Sequence, residues 1–418
     1  MKTIVLENQK SPTFIYREAD RCLLCYDPPC TRNCPAHIDI PGFIYHIRSG
    51  NLEAAYRKIK SANPFADTCG YVCPDENLCQ KECIRGLIDE PIRIRELHSY
   101  VTETLGYRDV IEPRRLKGKK VAIVGAGPAG VTAALKLIES GYEVHIFDRR
   151  EVGGIPIAEI PSERLPSEAV ERDIAALKRP GIKVFEGKEI RSLTELEGYD
   201  AVLLAFGLVE RGLKIPGADL TGVIGPKELL RSAREKKTDF SGKRAVVIGG
   251  GNVALDSAFV LKEKGAHVLI AYRRELKYAP SWTKERVLTF LKGVEFLYLV
   301  SPLEILGKDR VEGVRFVRMR LGEADESGRP RPVPIEGSEF IIEADIVVPA
   351  IGETAPPYFP KVERDRKGFI LVDERGRTSK EGVFAAGDLT GEGGTVVEAV
   401  AQGKRAAHAI AEYLGRSS

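Results

Sequence analysis

A strand–glycine turn–helix unit occurs twice in this chain, first as Val121-Ala-Ile-Val-Gly125-Ala126-Gly127-Pro128-Ala129-Gly130 and again as Ala245-Val-Val-Ile-Gly249-Gly250-Gly251-Asn252-Val253-Ala254. Each unit needs parallel strands beside its helix, so a chain carrying two must give most of its length to α/β layers. In the first unit Gly125 makes the tight turn and Gly127 lets backbone approach a pyrophosphate. Gly130 lets the helix pack close on the strand. The next strand, Val144-His-Ile-Phe, ends on Asp148, which is placed to bond a ribose 2′-OH.

The second unit has Ala254 where the first has its third glycine. Its following strand, His267-Val-Leu-Ile-Ala-Tyr, ends on Arg273-Arg274 with no acid capping it. Two guanidiniums there suit a ribose 2′-phosphate, which favours NADPH over NADH. Against this stand Glu275 next door and the plainer reading of one arginine as a solvated strand-end charge.

All eight cysteines lie between Cys22 and Cys83. The groups are Cys22-x2-Cys25-x4-Cys30-x3-Cys34-Pro and Cys69-x3-Cys73-Pro-x4-Cys79-x3-Cys83. Such crowding points to metal rather than disulfides. The first group has ferredoxin-like spacing. Zinc also uses Cys-x2-Cys, but the second group lacks that pair. Spacing by itself suggests two local sets of four.

Composition narrows the remaining classes. With 43% hydrophobic and 29% charged residues the chain is an ordinary globular one, and a net charge of +3 gives no footprint for nucleic acid or anionic membrane. Apolar runs are strand-sized, no signal-peptide stretch is visible at Met1, and a cytoplasmic location is expected. Four segments are expected. Residues 1–112 form an α-helical iron–sulfur domain, with helices in Ile40-Pro-Gly-Phe-Ile-Tyr-His-Ile and Leu52-Glu-Ala-Ala-Tyr-Arg-Lys-Ile. Residues 113–235 and 347–418 form an FAD domain in two parts, and 236–346 an NAD(P) domain inserted between them. From Val121 onward, short β-branched runs are expected to alternate with helices.

Near the C-terminus stands Val383-Phe-Ala-Ala-Gly387-Asp388, then Gly393-Gly-Thr395-Val396. With both glycine motifs, this resembles the two-dinucleotide-domain flavoprotein reductases. The resemblance implies FAD, with Asp388 at the ribityl chain and the helix from Thr395 and Val396 starting under the isoalloxazine ring. Many of those enzymes discharge the flavin through a Cys-x-x-Cys pair beside it, and this chain has no cysteine after Cys83.

The cysteine pattern, the Gly125-Ala-Gly-Pro-Ala-Gly turn and the segment Ile160-Pro-Ser-Glu-Arg164-Leu-Pro together resemble the glutamate synthase small-subunit family. That fold is shared with the N-terminal half of dihydropyrimidine dehydrogenase and with bifurcating ferredoxin:NADP reductases. The length is similar to that of the separate small subunit of bacterial dihydropyrimidine dehydrogenases. The resemblance implies that Arg164 lies at the FAD, with Gly154 and Gly352 among the cofactor-binding residues. It implies one [4Fe–4S] cluster on Cys22, Cys25, Cys30 and Cys83. A second takes Cys34, Cys73, Cys79 and a residue after Pro91-Ile-Arg-Ile, which leaves Cys69 outside both sets. Relatives carry glutamate or glutamine there and this chain carries His98, with Glu96 and Cys69 as alternatives. The implied activity is electron transfer between NAD(P)H, FAD and the clusters, to or from a separate catalytic subunit in a hetero-oligomer. Two readings remain beside it: a stand-alone NAD(P)H oxidase or acceptor reductase, and a ferredoxin-linked bifurcating component.

Overall fold

The computed structural model describes residues 11–112, 114–234, 238–324, 328–356 and 361–416. It forms two compact units. One holds the chain up to Ile157, Ser162–Leu208 and everything from Ala355, while the other holds Ala158–Pro161 and Val209–Thr354.

The first unit begins with helices α1 (Pro12–Asp20), α2 (Ile40–Arg48), α3 (Leu52–Ala62), α4 (Ala66–Val72) and α5 (Ile94–Leu105). Local chemistry starts them. Asp39 accepts the Gly42 N–H at 3.0 Å ahead of α2, and Asn51 accepts the Ala54 N–H at 3.0 Å ahead of α3. Ala55, Tyr56 and Ile59 then fall on one buried stripe of α3. Helix α4 ends at Cys73, which precedes Pro74 and has left helical geometry.

The same unit continues into a five-stranded parallel sheet. Its strands are β1 (Lys120–Val124), β2 (Glu143–Phe147), β3 (Ile182–Phe185), β4 (Ala201–Leu204) and the returning strand Val383–Ala385. The order is 383–385, β4, β1, β2, β3. Central strands buried on both faces read as continuous apolar runs, as Val121–Val124 does. Helices α6 (Pro128–Glu139) and α7 (Ser167–Ile174) also belong here. The long C-terminal helix Val396–Arg416 crosses α6 closely at Gly403, where a Cβ would come within 2.3 Å of the Ala129 carbonyl oxygen.

The second unit repeats the parallel arrangement with β5 (Arg244–Ile248), α8 (Asn252–Glu263), β6 (His267–Tyr272) and β7 (Glu295–Tyr298). It then departs from strand–helix alternation. Strands β8 (Val300–Leu306), β9 (Gly313–Ala324), β10 (Pro330–Pro334) and β11 (Phe340–Glu343) form an antiparallel sheet, with no helix between them among the described residues. The cause is in the pattern: in Val314-Arg-Phe-Val-Arg-Met-Arg, arginines fall between buried apolar residues at close to strand period. Strand β12 (Ile346–Pro349) pairs with β5, and Glu353–Thr354 pairs with Val209–Glu210. The expected boundaries at 236 and 346 both lie within the residues of this unit.

Among the described residues no helix is long and apolar enough to cross a membrane.

Candidate functional site

The first glycine turn is shaped for close backbone approach. Gly125 has φ +111°, and a Cβ there would sit 2.3 Å from the Ala205 carbonyl oxygen. At Gly130 a Cβ would lie 2.0 Å from the Gly125 carbonyl oxygen, so strand and helix tolerate no side chain between them. Gly127 is the reverse case, with nothing within 4 Å of a built Cβ. Helix α6 starts after Gly127 with no side-chain cap and Pro128 in its first turn. Its free N–H groups and positive dipole end suit a pyrophosphate.

The flanking residues tighten this cradle. Asp148 accepts the Ala126 N–H at 2.7 Å through Oδ2 and the Arg150 N–H at 2.8 Å through Oδ1, so it orders the glycine turn as well as facing it. Gly154, at φ +64°, packs where a Cβ would come within 2.8 Å of the Gly127 Cα. Arg164 is half-buried in the same unit. Gly387, at φ +81°, donates its N–H to the Gln402 side-chain oxygen at 2.7 Å ahead of Asp388. Thr395 caps the C-terminal helix: its Oγ1 accepts the Glu398 N–H at 3.2 Å and donates to the Glu398 carboxylate at 2.7 Å, with Val396 the first helical residue. Gln402 was not legible in advance. It lies a turn and a half into a helix, and its pairing with Gly387 is tertiary.

In the second unit Gly249 has φ +153° and a built Cβ would lie 2.2 Å from the Ala350 carbonyl oxygen. The Ala254 methyl would lie 3.3 Å from that same Cβ, so alanine fits here because Gly249 lacks one. Gly250 lies under the Tyr272 ring, and Gly251 opens α8 with no side-chain cap. The Asn252 side chain is used elsewhere, accepting the Trp282 N–H at 3.0 Å. The Val253 carbonyl accepts the Ser257 hydroxyl at 2.7 Å. Arg273 is exposed just past β6, whereas Arg274 is buried and donates its Nε–H to the Pro330 carbonyl at 2.8 Å. Gly352 stands in the closing segment at φ +106° and accepts the Arg211 N–H at 3.0 Å.

The cysteines sort by mutual electrostatics. Burial raises the Cys30 thiol to about 12, and Cys83, Cys22 and Cys25 add to the shift. Burial likewise raises Cys22, with Cys83 and Cys25 contributing. Burial raises Cys73 well above its ordinary value, reinforced by Cys69, Cys79 and Cys34. Cys79 is raised by burial and then chiefly by Cys34. Cys83 and Cys25 thus lie near Cys22 and Cys30, and Cys34 lies near Cys69, Cys73 and Cys79, with Cys30 also acting on Cys79.

This donor set fits anionic sulfur around a cationic core. Backbone N–H groups of Ala36, His37 and Ile38 turn toward Cys34, those of Leu24, Thr31 and Gln80 toward Cys22, Cys30 and Cys79, and the Ile92 N–H toward Cys83 at 3.5 Å. Leu24 and His37 take left-handed φ of 49° and 53° to do so, a strain of roughly 1–3 kcal/mol each that glycine would avoid. Among the described residues no three His, Cys, Asp or Glu side chains converge on a point that could hold a lone ion.

Two residues compete beside the second set. Cys69 was expected to stand apart, yet it lies within electrostatic reach of Cys34 and Cys73, with Asn63 Nδ2 beside its thiol but not aligned for a well-formed bond. His98 is buried in α5, not on the surface, with its ring 6.3 Å from that of Phe43. Burial lowers its pKa to about 4, opposed by Asp67 and the Ala66 carbonyl, and its Nε2 is buried without a hydrogen-bond partner. Glu96 Oε2 is likewise buried and unpartnered.

Residues 119–403 match the family described as pyridine nucleotide-disulphide oxidoreductase, and residues 3–109 match dihydropyrimidine dehydrogenase domain II, 4Fe-4S cluster. A glutamate synthase [NADPH] small chain from Halomonas elongata is 36% identical over 427 residues, covering 95% of this chain and 90% of the relative. The chain belongs to the glutamate synthase small-chain family. As a member it is an FAD-dependent NAD(P)H oxidoreductase whose cofactors include 4Fe–4S iron–sulfur. Subunit PreT of an NAD-dependent dihydropyrimidine dehydrogenase from Escherichia coli O157:H7 is 34% identical over 414 residues, covering 97% of this chain and 95% of that one. The beta subunit of an NADP(+)-dependent formate dehydrogenase from Moorella thermoacetica is 38% identical over 433 residues; they cover 94% of this chain but only 61% of the relative. The fold alone is shared with Mycobacterium tuberculosis FprA, at TM-score 0.63 and 24% identity over 73% of this chain and 85% of that one.

Proposed function

We propose that this chain is the electron-transfer subunit of a larger enzyme, moving electrons between NAD(P)(H), FAD and two [4Fe–4S] clusters, to or from a partner catalytic subunit. Bound FAD exchanges a hydride with nicotinamide and single electrons with iron–sulfur centres. The residues supply placement. The Gly125–Gly130 turn, Asp148, Gly154, Arg164, Gly387, Asp388, Thr395 and Val396 would hold FAD. The Gly249–Ala254 turn with Arg273, Arg274 and Gly352 would serve NAD(P). Cys22, Cys25, Cys30 and Cys83 would hold one cluster, and Cys34, Cys73, Cys79 and His98 the other.

The observation that carries the reading is the placement of the two sulfur sets in a chain with no cysteine after Cys83. Cys34 feels Lys404 of the C-terminal helix, and Lys404 Nζ donates to the carbonyls of Ala36 and Ala62 at 2.8 and 2.9 Å, which supports a path from that group toward a flavin held at the start of the helix. The Cys22 set is only half-buried, and Leu23, Tyr26, Ile84, Leu87 and Ile88, near its cysteines in sequence, are exposed apolar side chains. Exposure of that kind suits a protein partner rather than a small acceptor. Relatives named as chains or subunits of glutamate synthase, formate dehydrogenase and dihydropyrimidine dehydrogenase support a partner without specifying one.

Anaerobic purification from the native source tests this. The chain should bring down a stoichiometric catalytic subunit and carry one FAD with about eight iron and eight sulfide, as two four-iron clusters require. A chain that elutes alone and reduces its physiological acceptor at full rate would be the stand-alone reductase instead.

Gly127 gives a sharper check on the flavin site. With φ −78° and open space around it, a Gly127→Val chain is expected to fold. Its added methyls would stand where the pyrophosphate comes closest, so FAD affinity should fall more than about tenfold, ~1.4 kcal/mol or more. Unchanged flavin content would move the FAD elsewhere.

A further inference from the structure

A cavity of about 720 Å³ lies at the end of β6 and is walled from two directions. Arg273 and Arg274 enter it from the strand end, and Glu323 and Arg331 from the antiparallel strands β9 and β10. Those strands pair through Arg320 with Val333 and Leu321 with Pro332, which sets Arg331 near the tip of the hairpin. Arg274 ties the two walls together: it is 3% exposed and donates its Nε–H to the carbonyl of Pro330, the residue before Arg331. Glu275, the neighbouring acid, is paired with Lys277 at 2.8 Å.

We propose that Arg331 is a specificity-determining residue for the nicotinamide cofactor, meeting the 2′-phosphate of NADPH together with Arg273, and that Arg274 is a positioning residue that anchors Arg331 through Pro330. This rests on the reading of the β5–α8–β6 unit as the NAD(P) site. In such a unit the adenosine ribose reaches the end of the second strand, which here is the step from Tyr272 to Arg273. A phosphate monoester carries about −1.5 to −2 charges near neutral pH. Among the described residues the cavity is lined by three guanidiniums and one carboxylate, a net positive lining. The guanidinium fork also fits phosphate oxygens in a way that the bare 2′-OH of NADH cannot exploit. The hairpin lies outside the strand–helix–strand repeat, so it closes the cavity from a side that the glycine motif does not reach.

The test is steady-state kinetics of the holoenzyme with NADPH and NADH against ferricyanide, with inhibition by 2′,5′-ADP and by 5′-AMP. Arg331→Ala should raise the KM for NADPH and the Ki for 2′,5′-ADP about tenfold or more, far beyond any change for NADH or 5′-AMP. Arg273→Ala should act in the same direction. Arg274→Lys, which removes the Nε–H to Pro330, should weaken NADPH binding in the wild type but add little on top of Arg331→Ala. If Arg331→Ala leaves NADPH unaffected while Arg273→Ala does not, the role of Arg331 is refuted and the NAD(P) site stands. If the two arginine-to-alanine variants show full loss for both nucleotides alike, or none for either, the site reading falls and the proposal with it. Additive losses from Arg274→Lys and Arg331→Ala would remove the anchoring role.

Discussion

Replacing Lys60 with methionine is expected to destabilise the chain by about 3–5 kcal/mol, the cost of leaving buried charge without its partner. Lys60 is 5% exposed and lies between two carboxylates that are fully buried. Its Nζ is 2.8 Å from Asp67 Oδ2 and also bonds Asp173 Oδ1. Asp173 in turn accepts the N–H groups of Asp67 and Thr68 at 3.0 and 2.8 Å, so α7 caps the first turn of α4. Arg172 completes the network, donating to Asp67 Oδ1 at 2.6 Å. Desolvation works against the Lys60 ammonium, but Asp173 and Asp67 hold its pKa above the ordinary value.

The pH dependence of this loss has a definite sign. Burial raises the Asp173 carboxyl to about 7, against the pull of Lys60. An acid whose folded pKa lies above its unfolded one contributes stability at low pH, and that contribution fades as pH rises through the folded value. Without Lys60 the carboxyl should stay protonated to still higher pH. At pH 5.5 the variant then retains a neutral Asp173 and an Asp67–Arg172 pair, whereas at pH 8 it must hold a proton against solvent or bury an unpaired charge. Urea midpoints should therefore diverge from wild type more at pH 8 than at pH 5.5. A loss that is equal at both, or larger in acid, would contradict the network. Because α4 carries Cys69 and leads into Cys73, iron should be lost along with stability.

How much of this was legible beforehand depends on the range over which residues cooperate. The glycine turns, the helices at Ile40 and Leu52 and strand β1 follow from neighbours within a few positions, and the structure has them. The antiparallel sheet β8–β11 was legible in principle from the arginines between apolar residues in Val314–Arg320, but the repeated strand–helix motif on either side argued for more of the same. Asp173 was not legible at all. It reads as one acid in the amphipathic run Ser167–Ile174, and its partners Lys60 and Asp67 lie more than a hundred residues earlier. The grouping of Cys83 with Cys22 is equally non-local. Spacing favours two consecutive sets of four, and only the family resemblance implied the interleaved arrangement; the structure adds that Cys83 lies near Cys22 and Cys30.

Iron content should decide between His98 and Cys69. If His98 holds the second cluster with Cys34, Cys73 and Cys79, His98→Ala should lower iron from about eight to about four per chain, or leave a cluster with an altered EPR spectrum. Cys69→Ser should then retain about eight. The imidazole has the chemistry of a ligand, since burial holds it neutral and its Nε2 has no other buried partner. A neutral nitrogen in place of a thiolate removes one negative charge from the ligand set, as in Rieske centres, where histidine ligation raises the potential. His98→Cys should accordingly restore iron while moving the midpoint of one signal to a lower potential. The opposite result, with Cys69→Ser losing a cluster and His98→Ala keeping two with unchanged spectra, would assign the ligand to Cys69, which already lies in electrostatic reach of Cys34 and Cys73. His98 would then be a packing residue against Phe43.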